Sequence, residues 1–257
     1  MNQQTVSLPS IERQREITEN YRRVKDNIAR AMDRRRVGSG EVRLLAATKT
    51  VPPEDILFAV RELGLDLIGE NRTAELTEKY PYLNGAVEQH FIGHLQTNKV
   101  NKVVGSVSVI ESVDSLRLAA EIDRRSRALG IVTDILVEVN SGREESKGGV
   151  MPEDVFLFCK KLEDFSSIRV RGMMTMAPVQ TEKEDFRKFF RETYGIFIDF
   201  FTKKSHNIIE PVFSLPPILS MGMSDSYEIA VEEGATEVRV GSAIFGRRVY
   251  PTGNDNR

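Results

Sequence analysis

Eight short apolar runs alternate with helical patterns along most of the chain, and this alternation restricts the fold more than any other feature of the sequence. The runs lie at residues 43–47, 65–68, 90–92, 107–110, 135–139, 170–174, 217–220 and 237–240. Eight units of a strand followed by a helix are typical of a closed parallel barrel. A doubly wound open sheet usually needs fewer strands and a glycine-rich first turn, which the sequence lacks. We therefore expect an α/β fold, a single-domain (β/α)₈ TIM barrel.

A long amphipathic segment precedes the barrel pattern. From Ile11 to about Arg36, apolar residues recur at the spacing of one helix face. They are Ile17, Tyr21, Val24, Ile28 and Met32. We expect one domain over residues 1–257, with residues 1–40 as an N-terminal helical extension and 248–257 as a short tail. The pattern leaves open whether the extra helix covers the bottom of the barrel or a partner.

Four positions carry signals for the start of a helix. Pro53 and Pro152 each stand where a first turn tolerates proline, and Asp114 and Ser224 can accept backbone N–H groups as N-caps. The stretch at residues 203–217 has the weakest pattern, because several prolines interrupt the approach to the seventh strand.

Composition excludes several classes of partner. The 36 Lys and Arg residues nearly balance the 38 Asp and Glu residues, so the net charge of −2 gives no bias toward nucleic acid or an anionic membrane. No apolar run is long enough to span a bilayer, and the first residues lack the apolar core of a signal peptide. The single cysteine, Cys159, cannot form an intramolecular disulfide and points to a reducing compartment. We expect a cytoplasmic protein.

Lys49 is the first candidate for chemistry. It follows the apolar run at residues 43–47, and in such barrels the active face lies where strands end. A partly desolvated lysine amine at this place can attack a carbonyl and form a Schiff base. The alternative is a structural lysine that caps the strand or pairs with Glu70.

The ends of the seventh and eighth strands predict a phosphate site. Residues 220–224 form a turn of small residues before a helix, and Gly241 and Ser242 directly follow the last strand. Barrels commonly bind phosphate with these two loops, through backbone N–H groups and serine hydroxyls. Together the loops describe a phosphate cup facing Lys49.

Arg239 falls two residues before Gly241, so its side chain shares that residue's face of the strand. It then points into the barrel, where a buried cation needs an acceptor such as a pyridine nitrogen. The sequence gives equal support to the alternative, in which Arg239 lies outside the barrel and pairs with Glu237 or Glu111.

Other chemistries find less support. His90 and His94 are four residues apart, but His90 falls in a strand, so the two rings should not bind one metal ion. Ser220 lacks a following histidine to complete a hydrolase triad. Of the carboxylates that a glycosidase would need, Glu138 is expected to point toward the helices or to pair with Lys147. We predict no metal site and no catalytic residue.

Six motifs resemble those of the YggS/PROSC family of pyridoxal phosphate homeostasis proteins. They are Ala46-Ala47-Thr48-Lys49, Gly69-Glu70-Asn71, the segment from His90 to Lys99, Gly172-Met173-Met174-Thr175, Ser220-Met221-Gly222-Met223-Ser224, and the segment from Val238 to Gly246. They cover nearly the whole barrel in the family's order. Two segments fit less well: Asp225 and Ser226 depart from the usual pattern, and the segment at residues 142–149 matches a mobile loop only loosely.

The resemblance implies a barrel of pyridoxal phosphate fold type III, similar to the N-terminal domain of alanine racemase. It implies that pyridoxal 5′-phosphate is held as a Schiff base on Lys49. It further implies phosphate contacts from Ser220, the Met221 backbone, Gly241 and Ser242, a ring-nitrogen contact from Arg239, and Asn71 near the cofactor.

Two functions remain from the resemblance. The first is a carrier that acts in intracellular vitamin B6 homeostasis and passes the cofactor to apo-enzymes. The second is a racemase or related enzyme that uses the cofactor. A two-base racemase needs a second proton-transfer group from another domain, and the barrel motifs end about ten residues before the last residue. We therefore expect a non-catalytic monomer, with Tyr250 in a loosely packed tail.

Overall fold

A computed structural model describes residues 6–38, 40–144, 147–178, 182, 185–203 and 216–246. Its eight parallel strands close into a barrel in the order of the sequence. The strands are β1 (Arg43–Ala47), β2 (Leu67–Glu70), β3 (Glu88–Phe91), β4 (Val109–Val113), β5 (Thr133–Val139), β6 (Ile168–Thr175), β7 (Ile218–Ser220) and β8 (Glu237–Val240). The predicted (β/α)₈ fold is confirmed.

Helices surround the barrel on the outside: the first helix precedes the first strand, and the others follow strands. They are α1 (Ile11–Asp33), α2 (Pro53–Leu63), α3 (Thr73–Leu83), α4 (Leu116–Leu129), α5 (Val155–Leu162), α6 (Phe186–Lys203), α7 (Tyr227–Glu232) and α8 (Ser242–Phe245). A 3₁₀ turn, Thr97–Lys102, takes the place of a helix after β3, and another, Pro152–Asp154, leads into α5. None of these helices is long and apolar enough to cross a membrane, within the residues that the structure describes.

The sequence signals place most element boundaries within a few residues. The bounds of β1 and β8 agree with the predicted runs, whereas β2 begins two residues later than its run. The prolines act as predicted, since α2 begins at Pro53 and Pro152 opens the 3₁₀ turn before α5. Asp114 is not the N-cap of α4, because Ser115 takes that position and its hydroxyl accepts the Leu118 N–H.

The N-terminal helix packs on the side of the barrel. Its buried residues are Ile17, Tyr21, Val24, Ile28 and Ala31. They lie against α2, α7 and α8, so this face of the helix covers the side of the barrel and not its bottom. Arg13 and Asn20 donate to the carbonyl oxygens of Phe245 and Ile244, at 2.7 and 3.0 Å. Because α8 has only four residues, α1 fills the place that a longer eighth helix would occupy.

Apolar side chains fill part of the barrel interior in two small groups. One contains Leu45, Leu67 and Ile92. The other contains Val109, Leu136 and Met174. The larger core lies between the strands and the surrounding helices. The remaining interior is polar, and its residues form much of the site described below.

Gly172 allows β6 and β7 to approach closely. A Cβ on this residue would overlap the carbonyl oxygen of Ile218, which pairs with it across the two strands. Glycine is the residue that fits this place, because any side chain would push β7 out of the sheet.

Replacing Gly172 with alanine is expected to destabilise the barrel by about 3 kcal/mol or more, or to prevent folding. Gly195→Ala is the matched control, because a Cβ there meets nothing within 4 Å and α6 should gain up to about 1 kcal/mol from alanine. Urea unfolding followed by circular dichroism measures both. Equal stability of the two variants would contradict the packing argument.

Candidate functional site

Lys49 lies in the loop between β1 and α2, at the carboxyl end of the strands. It is half-buried and lines a cavity of about 300 Å³. Gly241 and Ser242, at the junction of β8 and α8, line the same cavity. Among the described residues, no carboxylate lies within ion-pair distance of the Lys49 amine. In the described part of the chain the amine therefore has no ion-pair partner. It shares the cavity with two residues of the predicted phosphate cup and with Asp55, which pairs with Arg13.

A second lysine holds the turn that carries Lys49. Lys79 on α3 is buried, and its ammonium donates to the carbonyl oxygen of Thr48 at 2.7 Å. It also lies 2.9 Å from Glu70 Oε1 and 3.1 Å from Glu75 Oε2. The alternative in which Lys49 pairs with Glu70 is wrong, because Lys79 is the partner of Glu70.

The same two carboxylates fix the backbone on either side of Lys49. The Thr48 hydroxyl donates to Glu70 Oε1 at 2.6 Å, and the Thr50 N–H donates to Glu75 Oε2 at 2.7 Å. Thr50 has a φ of 64°, a left-handed conformation that costs roughly 1–2 kcal/mol. These contacts hold the main chain of Lys49 in place, while its side chain has no ion-pair partner among the residues that the structure describes.

The turn at residues 220–224 depends on a glycine. Gly222 has a φ of 90°, and a Cβ there would lie 2.5 Å from the Cβ of Ala230. Both facts exclude a side chain at this position. The turn can therefore run close to α7 before it reaches Ser224.

Ser224 places its hydroxyl at the start of α8. Its Oγ accepts the N–H of Gly241 at 3.4 Å and that of Ala243 at 3.3 Å. The prediction that Ser224 is the N-cap of the following helix, α7, is therefore wrong. Ser226 precedes α7 instead, and its hydroxyl accepts the Met223 N–H at 3.1 Å.

Gly241 brings β8 against β1. A Cβ on Gly241 would lie 2.9 Å from the carbonyl oxygen of Ala47, two residues before Lys49. The pairing of the two strands, from Arg43 with Glu237 to Ala46 with Val240, fixes this approach. The phosphate-cup glycine and the lysine thus follow adjacent strands.

Ser220 and Met221 are engaged within the protein. The Ser220 hydroxyl donates to Glu111 Oε2 at 2.6 Å and accepts from Arg239 Nη1 at 2.8 Å, inside the barrel. The Met221 N–H donates to the carbonyl oxygen of Glu237 at 3.1 Å. Their contacts with a phosphate stay predictions.

Arg239 points into the barrel. It is 4% exposed, and its Nη2 donates to the carbonyl oxygen of Thr175 at 2.8 Å. Its Nη1 lies 3.9 Å from Glu111 Oε2, with the Ser220 hydroxyl bonded to both. The inward orientation is confirmed, and the pairing with acids outside the barrel is wrong.

His90, Glu111 and Glu237 form a fully buried cluster beneath Arg239. The Nδ1 of His90 lies 2.8 Å from Glu111 Oε1 and 3.7 Å from Glu237 Oε1. Burial opposes the charged imidazole, yet the three surrounding carboxylates raise the pKa of His90 well above its usual value. Burial and the neighbouring Glu111 raise the pKa of Glu237, so this acid holds its proton more tightly than usual.

Glu138 lies inside the barrel, contrary to the prediction that it points to the helices or pairs with Lys147. It shares the inner face of β5 with Leu136, and Lys147 pairs with Glu144. Burial and the negative charge of Asp114 raise the pKa of Glu138 to about 7, against the opposing field of Arg239. Glu138 is thus a buried carboxyl group that changes charge near neutral pH.

Asn71 follows β2 and is half-buried. Its main chain packs so closely on Gly93 that a Cβ there would overlap the Asn71 carbonyl group. The loop at residues 142–149 is described except for residues 145 and 146. Gly148 in this loop lies near Asp114: a Cβ on Gly148 would be 2.9 Å from the Asp114 carboxylate.

Comparisons with known proteins agree with this geometry. A family model described as the N-terminal domain of alanine racemase matches residues 19–249. A pyridoxal phosphate homeostasis protein from Aquifex aeolicus is 41% identical over 90% of this chain and 98% of its own length. The chain belongs to the YggS/PROSC family.

Two solved structures of similar proteins extend the comparison. A protein of unknown function from Bifidobacterium adolescentis has a TM-score of 0.84 and 37% identity, over 95% of this chain and 100% of that one. PipY from Synechococcus elongatus, solved with PLP bound, has a TM-score of 0.73 and 27% identity, over 90% of this chain and 100% of that one. The two solved chains are each matched over their whole length.

Sequence reasoning missed Lys79, Glu75 and Ser224 as contributors to the site. Lys79 lies on α3, eight residues after Asn71, and no strand-end rule points to it. Glu75 is one helical turn before Lys79, a spacing that favours an ion pair and was an available signal. Ser224 was assigned to the wrong helix because its partner N–H groups follow a different strand.

We expect Glu138→Gln to stabilise the protein at pH 8 but not at pH 4. The folded state holds the Glu138 proton up to about pH 7, whereas the unfolded state releases it near its ordinary value of 4.5. The contribution of Glu138 to the free energy of unfolding is therefore largest below about pH 4.5, and it falls as the pH rises to 7. Glutamine keeps the shape of the protonated acid, so the gain at pH 8 should be about 1–3 kcal/mol.

Urea unfolding at the two pH values measures this difference. Glu78→Gln is the control, since Glu78 is exposed on α3 and the same change there should stay within about 0.5 kcal/mol. A gain that is equal at pH 4 and pH 8 would show that ionisation of Glu138 is not its cause.

Proposed function

We propose that this protein binds pyridoxal 5′-phosphate through a Schiff base on Lys49 and acts in the homeostasis of this cofactor inside the cell. The observation that carries the proposal is the position of Lys49. Its amine has no carboxylate partner among the described residues, and it shares a cavity with Gly241 and Ser242. The names of the curated relatives and the bound PLP in PipY support the same ligand.

The residues at this end of the barrel fit a phosphate group. Ser242 is exposed, and the Gly241 and Ala243 N–H groups are held only by the long bonds to Ser224. Backbone donors and hydroxyls of this kind bind phosphate oxygens well. We propose that Ser224, Gly241 and Ser242 bind the phosphate, with Ser220 and Met221 at the edge of the cup.

The residues on the inner side fit a pyridine ring. Arg239 is a buried donor that cannot realistically lose its proton, so it would donate to an unprotonated ring nitrogen. An unprotonated ring is a weaker electron sink. We propose that Arg239 contacts the ring nitrogen and that Asn71 lies beside the ring, which favours a carrier over an enzyme.

The alternative is a racemase or related enzyme that uses the cofactor. Glu138 favours it in one respect, because a buried carboxyl group with a pKa near 7 suits proton transfer. An assay of amino-acid racemisation and decarboxylation by the loaded protein separates the two functions. Turnover that is lost in Glu138→Gln would establish the enzyme.

The remaining proposals concern the setting of the protein. A single cysteine agrees with the cytoplasm, where disulfides are rare. We propose a monomeric carrier in one domain, with apo-enzymes that use the cofactor as recipients. Tyr250 and the tail at residues 248–257 lie outside the described residues.

Lys49→Ala is expected to abolish covalent attachment of pyridoxal phosphate while the barrel still folds, because a half-buried loop lysine contributes little packing. Absorbance spectra before and after borohydride reduction, followed by peptide mass mapping, measure the attachment. Lys147→Ala is the control, since it removes a loop lysine paired with Glu144 and should keep the adduct on Lys49. A reduced adduct that persists in Lys49→Ala would reject this lysine.

Ser224→Ala combined with Ser242→Ala should weaken binding of pyridoxal phosphate by about a hundredfold or more, since each of the two lost hydrogen bonds to a charged group costs about 1.5–3 kcal/mol. Binding of pyridoxal, which has no phosphate, serves as the control and should change little. Ser220→Ala tested alone decides whether Ser220 belongs to the cup. If the double variant lost affinity equally for both ligands, the cup would lie elsewhere.

A further inference from the structure

A continuous chain of hydrogen bonds runs through the barrel from one end to the other. We call it the polar chain, and its members are Arg43, Glu88, His90, Glu111, Ser220 and Arg239. It begins at the amino end of the strands, where the side chains of Arg43 and Glu88 are partly exposed. It ends at Arg239, beneath the carboxyl end, so it connects one end of the barrel to the proposed cofactor site.

Five contacts make the polar chain. Arg43 Nη2 donates to Glu88 Oε2 at 2.7 Å, and His90 Nε2 lies 3.2 Å from Glu88 Oε1. His90 Nδ1 lies 2.8 Å from Glu111 Oε1. Ser220 donates to Glu111 Oε2 at 2.6 Å and accepts from Arg239 at 2.8 Å. Every contact is within hydrogen-bond distance.

The chemistry of the acceptors fixes the state of His90. A carboxylate only accepts hydrogen bonds, and both ring nitrogens of His90 contact carboxylates, so both carry a proton. The ring is therefore an imidazolium ion with no lone pair for a metal. The ring atoms of His90 and the oxygens of Glu111 thus serve hydrogen bonds, whereas the carboxyl oxygens of Glu237 have no hydrogen-bond partner among the described residues. The cation between the acids of this cluster is the imidazolium itself.

Glu111 is the member that connects the two cations. One of its oxygens contacts His90 and the other contacts Ser220, which in turn holds Arg239. It is fully buried, so loss of its charge would leave His90 and Arg239 as two cations in the barrel interior. Among the described residues, the Arg239 guanidinium would then keep the neutral oxygens of Ser220 and Thr175 as its hydrogen-bond acceptors, but no ionised partner at Glu111.

We propose that Glu111 and His90 are positioning residues, which hold the Arg239 guanidinium in the place where it meets the ring nitrogen of the cofactor. The proposal rests on the function proposed above. His90 acts on Arg239 through Glu111, and Glu111 acts through Ser220, so the proposed role needs no contact of either residue with the cofactor. The part of Glu111 facing Ser220 sets the direction of the hydroxyl, and the hydroxyl sets the direction of Arg239 Nη1.

A double-mutant cycle between Glu111→Gln and Arg239→Gln tests the proposal. Two quantities are measured on protein loaded with pyridoxal phosphate: the absorbance maximum of the bound cofactor and its dissociation constant. We expect Glu111→Gln to shift the absorbance maximum and to weaken binding by about tenfold, as coupled buried pairs do. His90→Gln should shift the maximum in the same direction. In the Arg239→Gln background, the further change of Glu111 should alter neither quantity.

Glu232→Gln is the matched control. Glu232 is a buried acid outside the barrel, paired with Arg34 and Arg187, so its loss should lower the melting temperature without changing the absorbance maximum. Ser220→Ala provides a second route if Glu111→Gln fails to fold, because it cuts the connection and removes only one oxygen. It should reproduce the shift in the absorbance maximum.

The outcomes separate the two proposals. If the wild-type protein binds no pyridoxal phosphate, both the proposed function and the positioning role are overturned. If it binds the cofactor, but Glu111→Gln and Ser220→Ala leave the absorbance maximum unchanged, only the positioning role fails. It fails equally if the effects of Glu111→Gln and Arg239→Gln on the dissociation constant are additive.

Discussion

The pairing of the last strand with the first is the constraint on which the site depends. Four residue pairs join β1 to β8. Gly241 then passes so close to Ala47 that a Cβ on Gly241 would lie 2.9 Å from the carbonyl oxygen of Ala47. This closure puts Lys49 and Ser242 on one cavity although 192 residues separate them in the sequence. Without it, the amine and the phosphate donors would end on opposite edges of an open sheet.

Closure also creates an interior that must hold charges. A barrel of eight strands has room only for side chains, and here much of that room is taken by acids and bases rather than by aliphatic groups. Cations and carboxylates alternate along the polar chain, so each buried charge has an opposite neighbour. Glu237 and Glu138 lie beside this chain, and burial raises the pKa of each.

The barrel could be predicted because each strand appears in the sequence as a separate apolar run. The position of Lys49 followed from the rule that barrel sites lie at the ends of strands. The strand period predicted that Arg239 points into the barrel, but its contacts with Ser220 and Glu111 involve three strands whose relative register no local pattern encodes. Glu138 was placed on the wrong face because every residue of β5 is buried, so no alternation of exposed and buried positions marks the inner face of this strand. Lys79 escaped prediction because it reaches the site from the middle of a helix.

The packing of α1 joins elements that are far apart in the sequence. Its apolar face packs on α7 and α8, and its Arg13 and Asn20 bind carbonyl oxygens of α8. The ribosome makes α1 long before α7 and α8, so these contacts have a very large sequence separation. A nascent chain thus has only α2 to cover the apolar face of α1 until α7 and α8 have emerged, and a truncation just before α8 would remove the acceptors of Arg13 and Asn20.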